Sequence, residues 1–348
     1  MVKIKHTELQ ELLSKIFLKK GASHNAAQQV ARSFVYADLM GFESHGLAMV
    51  YRYLEMIDLG WIRPEAKPSI LKETSNSVLI NGNWAFGQVA FNYGFDLAKE
   101  KAIESGIACV SARNSGHCGR LGQYPERMAN ESLIGIAMIN NHGAGNMVAP
   151  FGGTERRLST NPIAIAIPTN NKYPLLLDMT TSVVAERKLK LKHLSGEKVE
   201  KGWFISHDGS LSTNTEDFYS DPVGALLPFG GSVGYKGYGL SVIIDILAGA
   251  LSGAGCSNPN TKQVGNALFG IVIDPGKLND NMYEHINNLL EYLKSSKLSP
   301  GTEQIYYPGE IEFNILEKRQ KEGLSYNKDV IKLLKKSVAS VGLKYELG

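Results

Sequence analysis

Leu9, Leu12, Leu13, Ile16 and Phe17 recur at helical spacing, and Gly21 closes the run, which predicts a first helix opened by Thr7 and Gln10 as a capping box. Ser23 starts a second helix with Ala26, Val30, Ala31 and Phe34 on its inner face, ending near Gly41. A third is expected from Ser44 to about Leu59, burying Val50, Tyr53, Leu54 and Ile57, with Gly60 as its stop.

From about residue 65 the pattern changes to short β-branched runs alternating with helical stretches, the mark of a sheet covered by helices. Ser77 to Asn81, Ile107 to Ala112, Ile134 to Asn140, Ile163 to Ile167, Leu175 to Leu177 and Leu268 to Ile273 read as strands. Phe91 to Ser105, Tyr124 to Glu131 and Gly239 to Leu251 read as helices, the last burying Leu240, Ile243, Ile244 and Leu247. The tail from 282 is helical again, with Val330, Leu334 and Val338 on one stripe. The fold class is therefore α/β, divided into an N-terminal helical segment 1–70, an α/β cofactor-binding unit 71–280 and a C-terminal helical segment 281–348.

Charge narrows the partners. With 37 basic against 34 acidic residues and a net charge of +3, the chain lacks the electrostatic footprint of a nucleic-acid binder. Cys109, Cys118 and Cys256 are odd in number and far apart, which indicates neither a disulfide framework nor a metal site. Neither a signal peptide nor a membrane-length apolar run is present in the sequence, so the expected setting is the cytoplasm.

The candidate chemistry begins at Ser44-His45-Gly46. If Ser44 caps the third helix, His45 sits in its first turn, where the positive end of the helix dipole disfavours imidazolium and leaves the ring ready to exchange protons near neutral pH. Glycines cluster at 116–122, 143–153 and 230–239, loops whose bare N–H groups suit phosphate oxygens as well as tight turns. The G-x-G-x-x-G and G-x-x-x-x-G-K-[ST] fingerprints are both absent, so a nicotinamide cofactor would bind outside the Rossmann scheme, with Lys236 just ahead of a helix as one phosphate partner. His117 and Arg120 project from the loop after the strand ending at Ala112, and Asp178 closes an apolar strand as either a helix cap or the partner of an imidazole.

Together the stretches Asp38 to Gly46, Gly87-Gln88-Val89, Arg113 to Gly119, Val148-Ala149-Pro150, Thr160-Asn161-Pro162, Leu177 to Ser182, Tyr235 to Leu240 and Pro308-Gly309-Glu310 resemble, in order, the type-2 malate/L-lactate dehydrogenase family, which includes ureidoglycolate and sulfolactate enzymes and cyclic-imine reductases. The resemblance implies a homodimer with a three-layer α/β/α fold, a mixed sheet, a non-Rossmann nicotinamide site, and a helical part built from both chain ends. It implies hydride transfer between NAD and a 2-oxo or 2-hydroxy acid, with NADP left open. By position, His45 becomes the proton donor, with Ser44 and Asp178 as relay partners, although some members give the acid-base role to the histidine matching His117. His45 and His117 are also expected beside the cofactor, with Gly119, Arg120, Leu121, Leu176, Leu177, Asp178, Met179, Thr180, Tyr235, Lys236, Asn266, Gly309 and Glu310 lining it.

One position departs from the pattern. Many members carry an arginine four residues after the catalytic histidine, where this chain has Met49. Arg52 lies on the same helix face about 10 Å further along and would reach only a longer substrate. Met49, Arg52 and Thr160 are the expected substrate residues, and the hydroxycarboxylate dehydrogenase subset, which shares the methionine and accepts aromatic 2-oxo acids, is the resembling branch. Reduction of a cyclic ketimine is the alternative chemistry.

Overall fold

The computed structural model describes residues 1–261 and 263–344; the last four positions of the 281–348 segment lie outside the described residues. After a short strand β1 (Val2–Ile4) come α1 (His6–Lys19), α2 (His24–Leu39) and α3 (Val50–Asp58). Ser23 caps α2 through the Ala26 N–H at 3.2 Å. The Thr7–Gln10 capping box does not form: Lys5 takes the cap position and no side chain bonds the first turn.

A second correction concerns Ser44, which does not open a continuous helix. Glu43–His45 and Leu47–Met49 are separate 3₁₀ turns, and α3 begins only at Val50. The cause is Asp38, whose Oδ2 accepts the Leu47 N–H at 2.8 Å. Its Oδ1 crowds Gly46 so closely that a Cβ there would lie 1.8 Å away, so the backbone must bend past the carboxylate at a glycine.

The next strands and helices build the main sheet: β2 (Ser69–Glu73), β3 (Ser77–Asn81), α4 (Gly87–Ser105), β4 (Ile107–Ser115), α5 (Gln123–Ala129), β5 (Ile134–Asn140), β6 (Ile163–Ile167) and β7 (Leu175–Met179). Past α6 (Glu186–Leu194) a small sheet forms from β8 (Phe204–Ile205), β9 (Leu211–Ser212) and β10 (Ala225–Leu226), with α7 (Glu216–Tyr219) between β9 and β10. Then follow α8 (Tyr235–Ile244), a π-helical continuation at Asp245–Ala250, β11 (Asn266–Ile273), α9 (Met282–Lys294), α10 (Glu310–Glu322), β12 (Leu324–Tyr326) and α11 (Lys328–Ser340).

The seven-stranded sheet has the order β2-β3-β4-β11-β5-β6-β7. Only β3 and β4 pair in parallel; every other neighbour is antiparallel, so the sheet is mixed. Gly94 and Gly270 let α4 and Phe95 press onto its centre, since a Cβ at either would come within 2.8 Å of Val110 or Phe95. Leu9, Leu13, Phe17 and Phe34 from the N-terminal helices share one core with Phe313, Leu316, Leu324 and Leu334 from the C-terminal elements. Each such fully buried apolar side chain contributes about 1.5–3 kcal/mol.

Two further departures bear on the site. The helix read as Gly239 to Leu251 begins at Tyr235, placing Lys236 inside its first turn, and of its four expected core residues only Ile244 is fully buried. Ile243 is 53% exposed, with Ile246 and Leu251 beside it in the open, because a helix apolar on all sides has more apolar surface than one chain covers. β7 runs on to Met179, so Asp178 lies within a strand and caps no helix. Among the described residues no helix is long and apolar enough to cross a membrane.

Candidate active site

The bend at Gly46 carries His45 over His117, their rings nearly parallel at 21° with centroids 5.9 Å apart. Ser44 bonds His45 Nδ1 at 2.9 Å, leaving Nε2 as the ring atom open to a ligand. Glu43, on the same turn, pairs with Arg319 of α10 at 2.7 Å, and Arg319 also donates to the Asp38 carbonyl. Asp38 Oδ2 accepts from Tyr326 of β12 at 2.7 Å. Burial raises the Asp38 carboxyl to about 7, against the lowering by Tyr326 and Leu47. The loop of the candidate proton donor is thus held by the far end of the chain.

His117 stands on the loop after β4, held at its ring Nδ1 and at its backbone carbonyl. The Gly119 N–H donates to Nδ1 at 3.1 Å, which makes Nδ1 an acceptor and places the neutral ring's proton on Nε2. The Tyr53 hydroxyl reaches the same nitrogen at 2.8 Å and donates to the His117 carbonyl at 2.7 Å, while Gln88 donates to that hydroxyl at 2.9 Å. A Cβ on Gly87 would come within 2.5 Å of the Gly116 carbonyl, so α4 seats this loop by backbone contact.

Burial pushes His45 down to about 4, helped by the positive charges of Arg120 and Arg187. His117 is pushed down to about 3 by burial and then by His45 itself. Both rings are therefore neutral at neutral pH. The field on His45 comes from two guanidinium groups and not from the helix start that the sequence suggested, because that helix begins five residues later.

Around the two rings the structure gathers several of the expected cofactor residues. Arg120 is buried, pairs with Glu126, and lies over the Tyr36 and Phe42 rings at 5.3 and 5.2 Å; its Nε and Nη1 have no protein partner among the described residues. Asp178 Oδ2 accepts the Gly122 N–H at 2.8 Å, so this carboxylate joins β7 to the Gly119–Gly122 turn. Among the described residues no hydrogen bond joins Asp178 to His45. Burial lifts its carboxyl, and Arg120 pulls it back. Leu176 N–H donates to the Pro308 carbonyl at 3.0 Å, and Gly309, at φ 92°, packs so close that a Cβ would lie 2.9 Å from Leu176 Cβ. Asn266 Oδ1 accepts the Cys118 N–H at 2.9 Å. Orphaned guanidinium donors beside a glycine turn, and a backbone cradle that admits no side chain at Gly309, fit a dinucleotide.

The remaining site residues lie further out. Thr160 accepts from the Thr181 N–H at 3.0 Å, and Phe229 N–H donates to the Thr181 carbonyl at 2.8 Å. Gly237 packs on Phe229, which ties the start of α8, with exposed Tyr235 and Lys236, to the end of β7. Glu310 is engaged by Lys294 at 2.6 Å. Met49 is half-buried against the helical core. Arg52 is taken up by Glu55 at 3.0 Å and lies over the Trp61 ring at 5.6 Å.

Sequence reasoning assigned Tyr53 to the core and gave Gln88, Glu126 and Arg187 no role. Gln88 alone left a signal, as a polar residue inside a glycine-flanked stretch, and it is fully buried. Tyr53→Phe should cost about 1–3 kcal/mol, because it strands the His117 carbonyl and the Gln88 amide without a partner. Urea unfolding checks this, and a stability equal to that of the parent would show that the hydroxyl carries nothing.

The chain superposes on the crystal structure of malate dehydrogenase from Entamoeba histolytica with a TM-score of 0.93, at 30% identity and 99% coverage of both chains. The class is that of oxidoreductases acting on hydroxy acids. The sequence profile of malate/L-lactate dehydrogenase matches residues 4–335, and the chain belongs to that family. It is 38% identical to malate dehydrogenase of Pyrococcus horikoshii, covering 99% of this chain and 96% of that one. Hydroxycarboxylate dehydrogenase B of Escherichia coli is 33% identical, covering 91% and 88%.

Proposed function

We propose that this chain interconverts 2-oxo and 2-hydroxy acids with NAD as the partner cofactor, and that His45 moves the proton. When bound, the nicotinamide supplies or accepts the hydride. The carrying observation is the His45 ring, stacked on His117 under the charge of two guanidinium groups, with Nδ1 bonded to Ser44 and Nε2 without a hydrogen-bond partner among the described residues. In oxidation, neutral Nε2 takes the hydroxyl proton; in reduction, the same nitrogen returns it to the substrate oxygen. Ser44 holds the ring, and His117, locked by Tyr53 and Gly119, supports its stacked face. Gly119, Arg120 and Leu121, the Leu176 to Thr180 strand end, Asn266 and Gly309 hold the dinucleotide, with Lys236 reaching it from α8.

The mostly antiparallel pairing of the seven-stranded sheet supports a dinucleotide site outside the Rossmann scheme, in a three-layer arrangement. Shared packing of α1, α2, α10 and α11 supports a helical unit formed from 1–70 and 281–348 around the 71–280 body. The open apolar face of Ile243, Ile246 and Leu251 supports a homodimer. Three free thiols suit the cytoplasm.

A ring pushed down to about 4 sets the pH dependence. Above that value the imidazolium population falls with rising pH, so kcat/KM for 2-oxo acid reduction should drop about tenfold per unit across roughly pH 5–8. The reverse reaction uses neutral imidazole and should be flat over the same range. Steady-state rates with pyruvate, oxaloacetate, phenylpyruvate and a cyclic imine, each with NADH and NADPH, test the reading. Turnover of the imine alone, or a reduction rate that ignores pH, would count against it.

A further inference from the structure

We propose that Arg187 receives the substrate carboxylate and thereby sets the preference for 2-oxo acids over simple ketones, an inference that rests on the reading of His45 above. Arg187 lies in the first turn of α6 and reaches the segment just after His45, where its Nη2 donates to the Ala48 carbonyl at 3.1 Å. Its Nε is buried with no hydrogen-bond partner, and no carboxylate lies within 4 Å of its guanidinium among the described residues. The adjacent Glu186 makes no ion pair with it among the described residues, and its carboxylate accepts from Tyr219 at 2.8 Å.

Other arginines near the site differ in this respect. Arg120 is matched by Glu126, Arg52 by Glu55, and Arg319 by Glu43. Arg187, like Arg120, acts on the His45 ring and has an N–H without a partner among the described residues, but no carboxylate there neutralises Arg187. A desolvated donor of this kind is unfavourable until an anion meets it. The guanidinium fork matches a carboxylate in two bonds, so the anion's orientation is fixed together with its position.

A 2-oxo acid carries its carboxylate one bond from the reacting carbonyl. With the carboxylate on Arg187, the carbonyl oxygen is left to His45 Nε2, and Met49, next to Ala48, borders the substrate's own side chain. The docked anion also offsets the guanidinium charge that adds to burial in lowering His45, so substrate binding itself favours the protonated donor.

The test compares Arg187→Gln and Arg187→Lys with the parent holoenzyme. Oxamate binding in the presence of NADH, read by calorimetry, should weaken on the order of 10²-fold in R187Q and by an intermediate factor in R187K, which keeps charge without the fork. The ratio of kcat/KM for pyruvate to that for uncharged 2,3-butanedione should collapse by a similar factor in R187Q. In the cofactor-free protein, the His45 ring signal should titrate at higher pH in R187Q and near the parent value in R187K. Unchanged oxamate affinity, or equal losses on both ketones, overturns the assignment while leaving the His45 reading in place. Full activity of a His45 variant, with oxamate binding still lost in R187Q, overturns the reading of His45 and keeps Arg187. A parent protein that binds no oxamate and reduces neither ketone overturns both.

Discussion

His45→Ala should lower kcat for 2-oxo acid reduction by about 10²–10⁴-fold with little change in melting temperature. The ring sits on a bend fixed by Asp38, Glu43 and Gly46, not by its own packing, so its removal leaves the frame standing. No neighbour replaces it. Ser44 is far too weak an acid at neutral pH, and His117 is pushed down to about 3 with its Nδ1 already taken by Gly119. The loss should therefore appear in both reaction directions, and the pH slope of reduction should vanish with it, so that the deficit in reduction is largest at low pH. Steady-state kinetics alongside circular dichroism melts decide the matter. A variant within threefold of the parent would move the proton to another group, with His117→Asn as the next measurement.

The largest stability effect is expected at Glu126. This carboxylate meets Arg120 on one oxygen and the Tyr36 hydroxyl on the other, and all three side chains are buried or nearly so. Glu126→Gln keeps the volume but leaves a buried guanidinium without its counter-charge, a loss of about 3–5 kcal/mol. Two nitrogens of Arg120, Nε and Nη1, already lack a partner among the described residues, so no second acceptor there takes over. Denaturant unfolding should show the midpoint falling sharply, and binding of NADH should weaken because Arg120 shapes the turn from Gly119 to Gly122. A fall below ~1 kcal/mol would mean that water reaches the pair.

Much of this arrangement was legible in the sequence, and the gaps have physical causes. α1 and α2 declare themselves because a helix that covers a core must repeat its apolar residues, and β5 and β6 because isoleucine alternates there with small or apolar residues. β2 was invisible because all five of its residues are exposed, so it has no alternation to read. α6 carries Arg187 but buries only Leu189, so no stripe marks it. The turn at Ser44 was misread because its deciding partner, Asp38, acts from another helix, and a carboxylate nine residues away leaves no local signature. The pairing of Leu176 with Pro308 joins positions far apart in the chain and becomes visible only once the sheet and α10 are in place.

The latch of Tyr326 and Arg319 on Asp38 and Glu43 has a consequence for biosynthesis. While residues beyond Gly323 are still inside the ribosome, the bend that presents His45 lacks the Tyr326 bond to Asp38. The helices near the start of the chain can pack early, but the bend beside the acid-base group gains its full set of bonds only after α10 and β12 have emerged. The bend that presents His45 is therefore braced only once β12 has joined the fold, and a product terminated before Tyr326 lacks both this bond and the core residues of β12 and α11.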